Sequence, residues 1–184
     1  RLRGRGAAVV RSNDYLPQSI VDYCNRWRCA VVPGIPMVFE HLATAAAGHF
    51  ATVRIFLSAG APLPAATSRR FGERFGLPIH TFYGCSECGG ITYDRAGAAV
   101  ERGTVGQAME GVSLTLDHGR LAIAGSSVAL GYLHDESRFE AFASGRFVPD
   151  DLAEVLDDGG VVLTGRAGDL INTAGKKVNP REVE

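Results

Sequence analysis

The sequence predicts an α/β fold in which a parallel sheet with flanking helices is followed by a small, mostly antiparallel β subdomain. Up to about residue 99, short apolar runs alternate with amphipathic stretches at helical spacing, an order that builds parallel sheets covered by helices. Beyond that point, short alternating runs are separated by Asp and Gly turns, which favours hairpins. A chain of 184 residues, 46% of them hydrophobic, can bury a sizeable core for such a fold.

The first hundred residues are predicted to alternate strands with helices. Proline favours the first position of a helix, and the apolar residues after Pro17 and after Pro36 recur at helical spacing. Another helix is expected through Phe71 and Phe75, after a loop rich in Gly and Pro. The predicted strands are the apolar runs Val9–Val10, Cys29–Val32, Val53–Leu57 and Ile79–Tyr83.

The rest of the chain is predicted to be rich in β-structure, with a boundary near residue 100. Asp117–Gly119 and Asp158–Gly160 have the composition of hairpin turns, and one helix is expected over Asp135–Phe142. The predicted strands are Val112–Leu116, Leu121–Ala124, Leu152–Leu156 and Val161–Thr164. We expect this segment to form a small barrel or sandwich.

Charge and hydropathy exclude two classes of partner. A formal net charge of −1, with Lys and Arg scattered along the chain, gives no electrostatic footprint for nucleic acid or an anionic membrane. No apolar run approaches the roughly 18 residues of a membrane span, and the first residues lack the pattern of a signal peptide. We therefore expect a cytoplasmic protein with no nucleic-acid partner and no membrane span.

The four cysteines admit two interpretations. They are few for a disulfide scaffold in a chain of this length, and a reducing compartment would keep them as thiols. Cys85 and Cys88 have C-x-x-C spacing, but a zinc site needs two more ligands, and Cys24 and Cys29 are spaced more loosely. Free thiols in and near a core are the favoured interpretation, and a metal or redox site is the alternative.

Two loops that follow predicted strands are the candidates for a ligand site, because ligands of open α/β sheets bind beyond the carboxyl ends of the strands. In Ser58–Pro64, small residues let a flat ring approach the backbone closely. In Tyr83–Gly90, the Ser86 hydroxyl can donate to a phosphate oxygen and the Glu87 carboxylate can coordinate Mg²⁺. Each loop alone is also compatible with an ordinary turn or a helix start.

Together with the C-terminal region, these loops resemble motifs of the ANL superfamily of adenylate-forming enzymes, which includes acyl-CoA synthetases. Tyr83–Glu87 is similar to the family's Y-G-x-T-E, with Ser in place of Thr, and Gly60–Leu63 is similar to its G-A-P-L loop. Gly103–Gly106 and Gly131–Tyr132 resemble later family segments. The most specific match is Gly165–Glu184, which fits G-R-x-x-D-x-I-x-x-x-G-x-x-x-x-P-x-E-x-E.

The resemblance implies a nucleotide site and a role for each matching residue. Ser86 would contact the α-phosphate and Glu87 would bind Mg²⁺, which makes these two the candidate catalytic residues. Asp151 would accept hydrogen bonds from the ribose hydroxyls of ATP or AMP, and Arg166 would help to hold the ribose. The remaining nucleotide contacts implied are Gly60, Ala61, Pro62, Tyr83 and Gly84, the acid would lie near Gly34, Ile35 and Phe82, and Asp169 would be the hinge.

The implied activity is the ATP-dependent activation of a carboxylic acid as an acyl-AMP, with transfer to the thiol of CoA or of a carrier-protein phosphopantetheine. Residues 1–100 would be the α/β subdomain of a large N-terminal domain, residues 101–168 its small β-barrel-like subdomain, and residues 169–184 the hinge and the start of a C-terminal domain. The family's phosphate loop and catalytic lysine have no match here, so we expect a portion of a longer enzyme or a reduced relative.

Two departures from the family pattern favour an alternative function. Pro149 and Asp150 replace the Thr and Gly of the family's T-G-D motif, which alters the backbone and adds negative charge near the expected ribose. Separately, Asn172 stands where a basic residue is common and lacks the charge for a contact there. A non-catalytic nucleotide- or acyl-binding module, or a pseudoenzyme that acts as an interaction partner, is therefore the alternative to an acid–thiol ligase.

Overall fold

The computed structural model of the chain describes residues 7–133, 141–142, 144–169, 171–173 and 176–178. Two units can be distinguished, Arg1–His80 and Thr81–Glu184.

Helices and parallel strands alternate in the first unit. Its helices are α1 (Pro17–Arg26), α2 (Pro36–Ala45) and α3 (Ala65–Phe75). Its strands β1 (Val31–Gly34) and β2 (Ile55–Ser58) pair in parallel, and β3 (Ile79–Cys85) begins at the end of the unit. A proline starts α1 and α2, where its missing N–H removes no helical hydrogen bond. Helix α3 is capped by the next residue, Gly76, whose φ of 70° is a conformation that glycine adopts without steric cost.

Aromatic side chains fill the core of the first unit. Phe39 on α2, Phe56 on β2 and Phe71 on α3 are fully buried. The Phe71 ring meets Phe39 and Phe56 edge to face, with centroids 5.6 and 4.8 Å away. Helix α1 adds its buried face through Val21 and Cys24. This packing fixes the ends of β1 and β2, from which two of the predicted ligand loops begin.

Antiparallel strands dominate the second unit. After β3 they are β4 (Gly89–Tyr93), β5 (Gln107–Ala108), β6 (Val112–Asp117), β7 (Arg120–Gly125), β8 (Arg146–Phe147), β9 (Asp151–Val155), β10 (Val161–Arg166), β11 (Ile171–Thr173) and β12 (Lys176–Val178). Strand β4 pairs with β3 and β5, a second sheet has the order β10-β9-β7-β6 with β8 on β7, and β11 pairs with β12. The core of the unit contains the buried side chains of Cys88, Ile91, Leu121, Ile123 and Val161.

One buried carboxylate organises the loop between β4 and β5. Asp94 is only 5% exposed. Its Oδ1 atom accepts hydrogen bonds from the backbone N–H groups of Ala96, Gly97 and Ala98 at 2.9–3.2 Å, and its Oδ2 atom accepts one from Ala99 at 3.0 Å. The side chain therefore satisfies four consecutive amides that no strand or helix pairs.

The predicted fold class is confirmed, whereas two of its details differ. Val9 and Val10 form no strand: their side chains are 62% and 43% exposed, and an apolar pair without a partner strand gains nothing from an extended conformation. Strands β4 and β5 were not predicted, so antiparallel pairing begins before residue 100. The helix expected over Asp135–Phe142 falls mostly outside the described residues. The division at residues 100 and 168 remains a prediction.

Candidate functional site

The turn between β3 and β4 presents the Ser86 hydroxyl and the Glu87 carboxylate. It closes with a hydrogen bond from the Cys88 N–H to the Cys85 carbonyl at 3.3 Å, and the fully buried Cys88 side chain anchors it in the core. Gly84 packs so closely that a side chain there would overlap the Gly89 carbonyl oxygen. The motif predicted from the sequence is thus a tight hairpin turn, in which Ser86 is exposed and Glu87 is half-buried.

Glu87 is held at two points by one segment of the chain. The Tyr132 hydroxyl donates to the Glu87 Oε1 atom at 2.7 Å. The Ala129 N–H donates to the Glu87 carbonyl oxygen, also at 2.7 Å. The hydrogen bond from Tyr132 lowers the pKa of the Glu87 carboxyl, partial burial opposes that shift, and Arg166 adds a smaller lowering. Glu87 is therefore ionised at neutral pH.

Asp151 lies at the start of β9, directly across from Arg166 on β10. The Arg166 Nε atom donates to Asp151 Oδ1 at 3.0 Å, and the Tyr83 hydroxyl donates to Asp151 Oδ2 at 2.7 Å. The Asp151 side chain is 15% exposed and Arg166 is 58% exposed. Burial and then the hydrogen bond to Asp151 raise the pKa of Tyr83, which keeps this phenol neutral. Each carboxylate oxygen keeps a lone pair for a further donor.

These side chains surround one pocket of the second unit. The pocket has a volume of about 300 Å³, and its lining includes Glu87, Tyr132, Phe147, Asp150, Asp151 and Arg166. On a partly apolar wall, the three carboxylates can accept hydrogen bonds from hydroxyl groups, and the guanidinium can donate to anionic oxygens. The lining does not include Ser86 or Tyr83, although Tyr83 contacts it through Asp151.

The donor set fits Mg²⁺ that arrives with a nucleotide. Mg²⁺ is typically bound by one or two carboxylates together with substrate phosphates and waters. Glu87 supplies one ionised carboxylate, with Oε1 engaged by Tyr132. Among the residues that the structure describes, no group of three or more His, Cys, Asp or Glu side chains could hold a metal ion by itself.

Asp150 and Pro149, the two departures from the family motif, also line the pocket. The Asp150 side chain is 66% exposed, and its Oδ1 atom lies 3.7 Å from Arg120 Nη1. An exposed pair at this distance neutralises little charge, since solvent screens it. Asp150 therefore leaves negative charge beside Asp151.

The cysteines flanking the turn are thiols. Burial raises the pKa of Cys88 to about 12 and also raises the pKa of Cys85, so both remain protonated at neutral pH. The two side chains interact with each other. All four cysteines of the chain are free thiols.

The predicted residues of the first unit fall at the ends of its two parallel strands. Gly34 ends β1 and is linked to the loop after β2 by a hydrogen bond from the Ala59 N–H to the Gly34 carbonyl oxygen at 3.0 Å. Gly60 has a φ of 83°, and a Cβ atom there would lie 3.6 Å from Ile35. Gly60, Ala61 and Pro62 are exposed, and Ile35 is 46% exposed. The predicted acid loop and adenine loop thus lie side by side.

Phe82 and Asp169 complete the predicted set. The Phe82 ring covers Gly90, leaving no room for a side chain there. Asp169 closes a short 3-10 turn at Ala167–Asp169, just before β11. Its role as a hinge remains a prediction.

Sequence reasoning gave no role to Tyr132, although the Gly131–Tyr132 pair was noted. A lone tyrosine after glycine carries no local signal for a carboxylate partner, and its partner lies 45 residues earlier. Asp94 was also missed. Asp94 comes two residues before a run of small residues, Ala96–Ala99, which includes Gly97. An Asp at the start of such a loop is a signal for a side chain that caps its own backbone, and that signal could have identified it.

Comparison with known proteins gives consistent matches along the chain. Residues 2–133 match the family model described as AMP-binding enzyme. The long-chain-fatty-acid–CoA ligase FadD15 of Mycobacterium tuberculosis (strain ATCC 25618 / H37Rv) is 37% identical over 152 residues, covering 80% of this chain and 24% of that protein. The feruloyl-CoA synthase of Amycolatopsis sp is 26% identical over 197 residues, covering 98% of this chain and 40% of that protein. The chain therefore spans well under half the length of these relatives.

Solved structures match the fold over most of the chain. ATP-bound MatB from Rhodopseudomonas palustris superposes with a TM-score of 0.76 at 28% identity, covering 91% of this chain and 36% of that one. O-succinylbenzoate coenzyme A synthetase (MenE) from Bacillus subtilis, in complex with ATP and magnesium ion, superposes with a TM-score of 0.81 at 23% identity. This match covers 91% of this chain and 38% of that one. At 23% identity the second match supports the fold alone. Among the described residues, no helix combines the length and the apolar character needed to cross a membrane.

Proposed function

This chain belongs to the AMP-binding enzyme family, which confirms the predicted resemblance to adenylate-forming enzymes, and on that premise we propose that it takes part in activating a carboxylic acid. In the proposed reaction, a carboxylate oxygen attacks the α-phosphorus of ATP, pyrophosphate leaves, and an acyl-AMP forms. The acyl group then passes to a thiol, and AMP is released. The relatives named as a CoA ligase and a feruloyl-CoA synthase favour CoA as the acceptor over a carrier-protein phosphopantetheine.

The observation that carries the proposal is the pocket in which Asp151, Arg166 and Glu87 meet. Asp151 is held by Tyr83 and Arg166, so its remaining lone pairs have a fixed direction. Two vicinal ribose hydroxyls can donate to such a carboxylate, and the exposed guanidinium of Arg166 can donate to the ribose or to the phosphate. We therefore assign the ribose and the adjoining phosphate of ATP to this pocket.

Glu87 and Ser86 would act at the phosphate end of the nucleotide. Ser86 is exposed on the turn and can donate its hydroxyl to an α-phosphate oxygen. Glu87 would hold Mg²⁺, which, when bound, neutralises charge on the phosphates. Gly84 lets the turn pass close to β4, and this close packing fixes where Ser86 and Glu87 lie.

The acid itself is proposed to be hydrophobic. Ile35, which follows the end of β1 in the first unit, presents an exposed apolar side chain. Gly34 and Gly60 keep the neighbouring backbone free of side chains. These features suit an apolar carboxylic acid, and the roles of Gly60, Ala61 and Pro62 at the adenine stay part of the proposal.

The proposal is tested by carboxylate-dependent exchange of labelled pyrophosphate into ATP, with the full-length gene product and a panel of aliphatic and aromatic acids. Glu87→Gln keeps the shape of the side chain but removes its charge, and we expect exchange to fall by more than about 100-fold. AMP binding measured without Mg²⁺ should persist in that variant. Glu154→Gln, an exposed position on β9, is the matched control. An unchanged exchange rate in Glu87→Gln would refute the Mg²⁺ assignment.

Asp150 supports a second candidate, a non-catalytic nucleotide-binding module. A negative side chain that is 66% exposed beside Asp151 opposes the approach of a polyphosphate. Saturable ATP binding without exchange for any acid in the panel would support the module. Exchange with at least one acid would reject it.

A further inference from the structure

The segment from Val128 to Tyr132 grips Glu87 through both its backbone and its side chain. The Ala129 N–H reaches the Glu87 carbonyl oxygen, and the Tyr132 hydroxyl reaches Glu87 Oε1, each at 2.7 Å. Val128 is buried in the same core as Cys88, the residue that follows Glu87. The turn and the segment are thus packed together as well as hydrogen-bonded.

Tyr132 is itself fixed before any ligand binds. Its ring meets the Phe142 ring edge to face, with centroids 5.0 Å apart. Phe142 is 5% exposed and stacks on Phe147, again with a centroid distance of 5.0 Å. Phe147 and Tyr132 both line the pocket. An aromatic stack therefore sets the position of a hydroxyl that points at a carboxylate.

A glutamate on a hairpin turn would otherwise sample several rotamers, because its side chain has three rotatable bonds. A hydrogen bond to Oε1 selects the rotamers that bring this oxygen to Tyr132. The Cys85 thiol also interacts with the Glu87 carboxylate, and the lone pairs of Oε2 that face the pocket can still bind a cation. Groups that orient a ligating carboxylate typically matter for metal affinity nearly as much as the ligand does.

We infer that Tyr132 is a positioning residue that holds Glu87 Oε1 so that Oε2 is presented to the divalent cation of a bound metal–nucleotide complex. This inference rests on the proposed function, since it requires Glu87 to be the metal ligand. In this role the Tyr132 hydroxyl is engaged by Glu87 and not by the nucleotide or the acid, although the ring lines the pocket. Its effect is confined to the part of nucleotide affinity that depends on metal.

Tyr132→Phe removes the hydroxyl and keeps the ring in its stack. The measurement is the affinity of the full-length gene product for α,β-methylene ATP by isothermal titration calorimetry, once with Mn²⁺ and once with EDTA. The ratio of the two affinities is the metal-dependent enhancement. We expect Tyr132→Phe to lower the enhancement about 10-fold and to leave the affinity in EDTA within about 2-fold. Tyr15→Phe, at a 72% exposed position in the first unit, should change neither quantity.

Glu87→Gln separates failure of the inference from failure of the proposed function. If Glu87→Gln removes the enhancement and Tyr132→Phe keeps it, the inference is overturned while the Mg²⁺ assignment stands. If Glu87→Gln keeps the enhancement, the assignment fails and the inference fails with it. A loss of affinity in EDTA for Tyr132→Phe would show a packing role and would also overturn the inference. In the double variant, the enhancement should be no lower than in Glu87→Gln alone.

Discussion

Removing the Asp94 carboxylate should destabilise the second unit more than a surface substitution can. Asp94 is 5% exposed and accepts four backbone hydrogen bonds within the loop that connects β4 to β5. Asp94→Asn keeps an oxygen for the three amides that now meet Oδ1, but it places an NH₂ group against the Ala99 N–H. Asp94→Ala removes every acceptor.

The expected magnitudes follow from counting these bonds. A hydrogen bond to a charged group contributes about 1.5–3 kcal/mol and a neutral one about 1 kcal/mol, while an orphaned buried amide costs about 1–3 kcal/mol. Three bonds weakened by about 0.5–2 kcal/mol each and one orphaned Ala99 amide amount to at least about 2.5 kcal/mol for Asp94→Asn. Relief of burying the carboxylate offsets part of this loss, so we expect a net loss near the lower end, about 2–3 kcal/mol. For Asp94→Ala we expect about 4 kcal/mol, because water can reach some of the freed amides.

Hydrogen–deuterium exchange is the assay that locates the effect. We expect the amides of Ala96–Ala99 to lose protection in both variants, and urea unfolding followed by circular dichroism to give the free energies. Asp157→Asn, at an exposed turn position, is the matched control and should stay within about 0.5 kcal/mol of the parent. The reasoning is refuted if Asp94→Ala unfolds at the parent's urea midpoint with the Ala96–Ala99 amides still protected.

Three further predictions concern the core, the turn and the pH dependence of stability. Phe71→Ala should lower the free energy of unfolding by about 3–5 kcal/mol in urea titrations, because Phe71 is fully buried, and a loss below 1 kcal/mol would contradict the assigned core. Gly84→Ala should lower pyrophosphate exchange at least about 10-fold, because its Cβ atom would displace the Gly89 carbonyl and with it the turn; unchanged exchange would show that the turn tolerates the shift. The pKa of Tyr83 is raised in the folded chain, so its contribution to the free energy of unfolding is fully present below about pH 10. Above that pH the contribution falls, because the unfolded chain loses the Tyr83 proton while the folded chain keeps it beside Asp151. In Tyr83→Phe, the decline of stability between about pH 10 and 12 should be shallower by about 1.4 kcal/mol per pH unit, and an identical slope would place Tyr83 in an unperturbed environment.

The elements that the sequence predicted well are those with strong local signals. Pro17 and Pro36 start helices, and Asp117–Gly119 turns β6 into β7, because these residues restrict the backbone wherever they occur. The short strands β4 and β5 escaped prediction. Strand β4 has five residues and β5 has two, which is too short for an alternation of apolar and polar residues to identify a strand. The residues that pair with β5, Thr92 and Tyr93, also lie about 15 positions earlier in the chain.

The candidate site was predictable as a set of residues but not as a set of contacts. The motif Tyr83–Glu87 gave the turn, and Asp151 and Arg166 were identified by their resemblance to family residues. The hydrogen bond from Tyr83 to Asp151 joins residues 68 positions apart, so it depends on how two sheets of the second unit pack. No local pattern encodes that packing. The proposed role of Tyr132 is hidden for the same reason.

The pairing of Asp151 with Arg166 depends on a single extra residue in β10. Val161, Val162 and Leu163 pair with β9 in one register, and the register shifts before Gly165, leaving Thr164 as a bulge. Without that bulge, continuing the first register would set Arg166 opposite Asp150, because a shift of one residue changes every cross-strand partner. The guanidinium would then face the exposed Asp150 carboxylate, and Asp151 would lose its partner on β10 while keeping the hydrogen bond from Tyr83. The choice between two adjacent aspartates is therefore made by a backbone irregularity at Thr164.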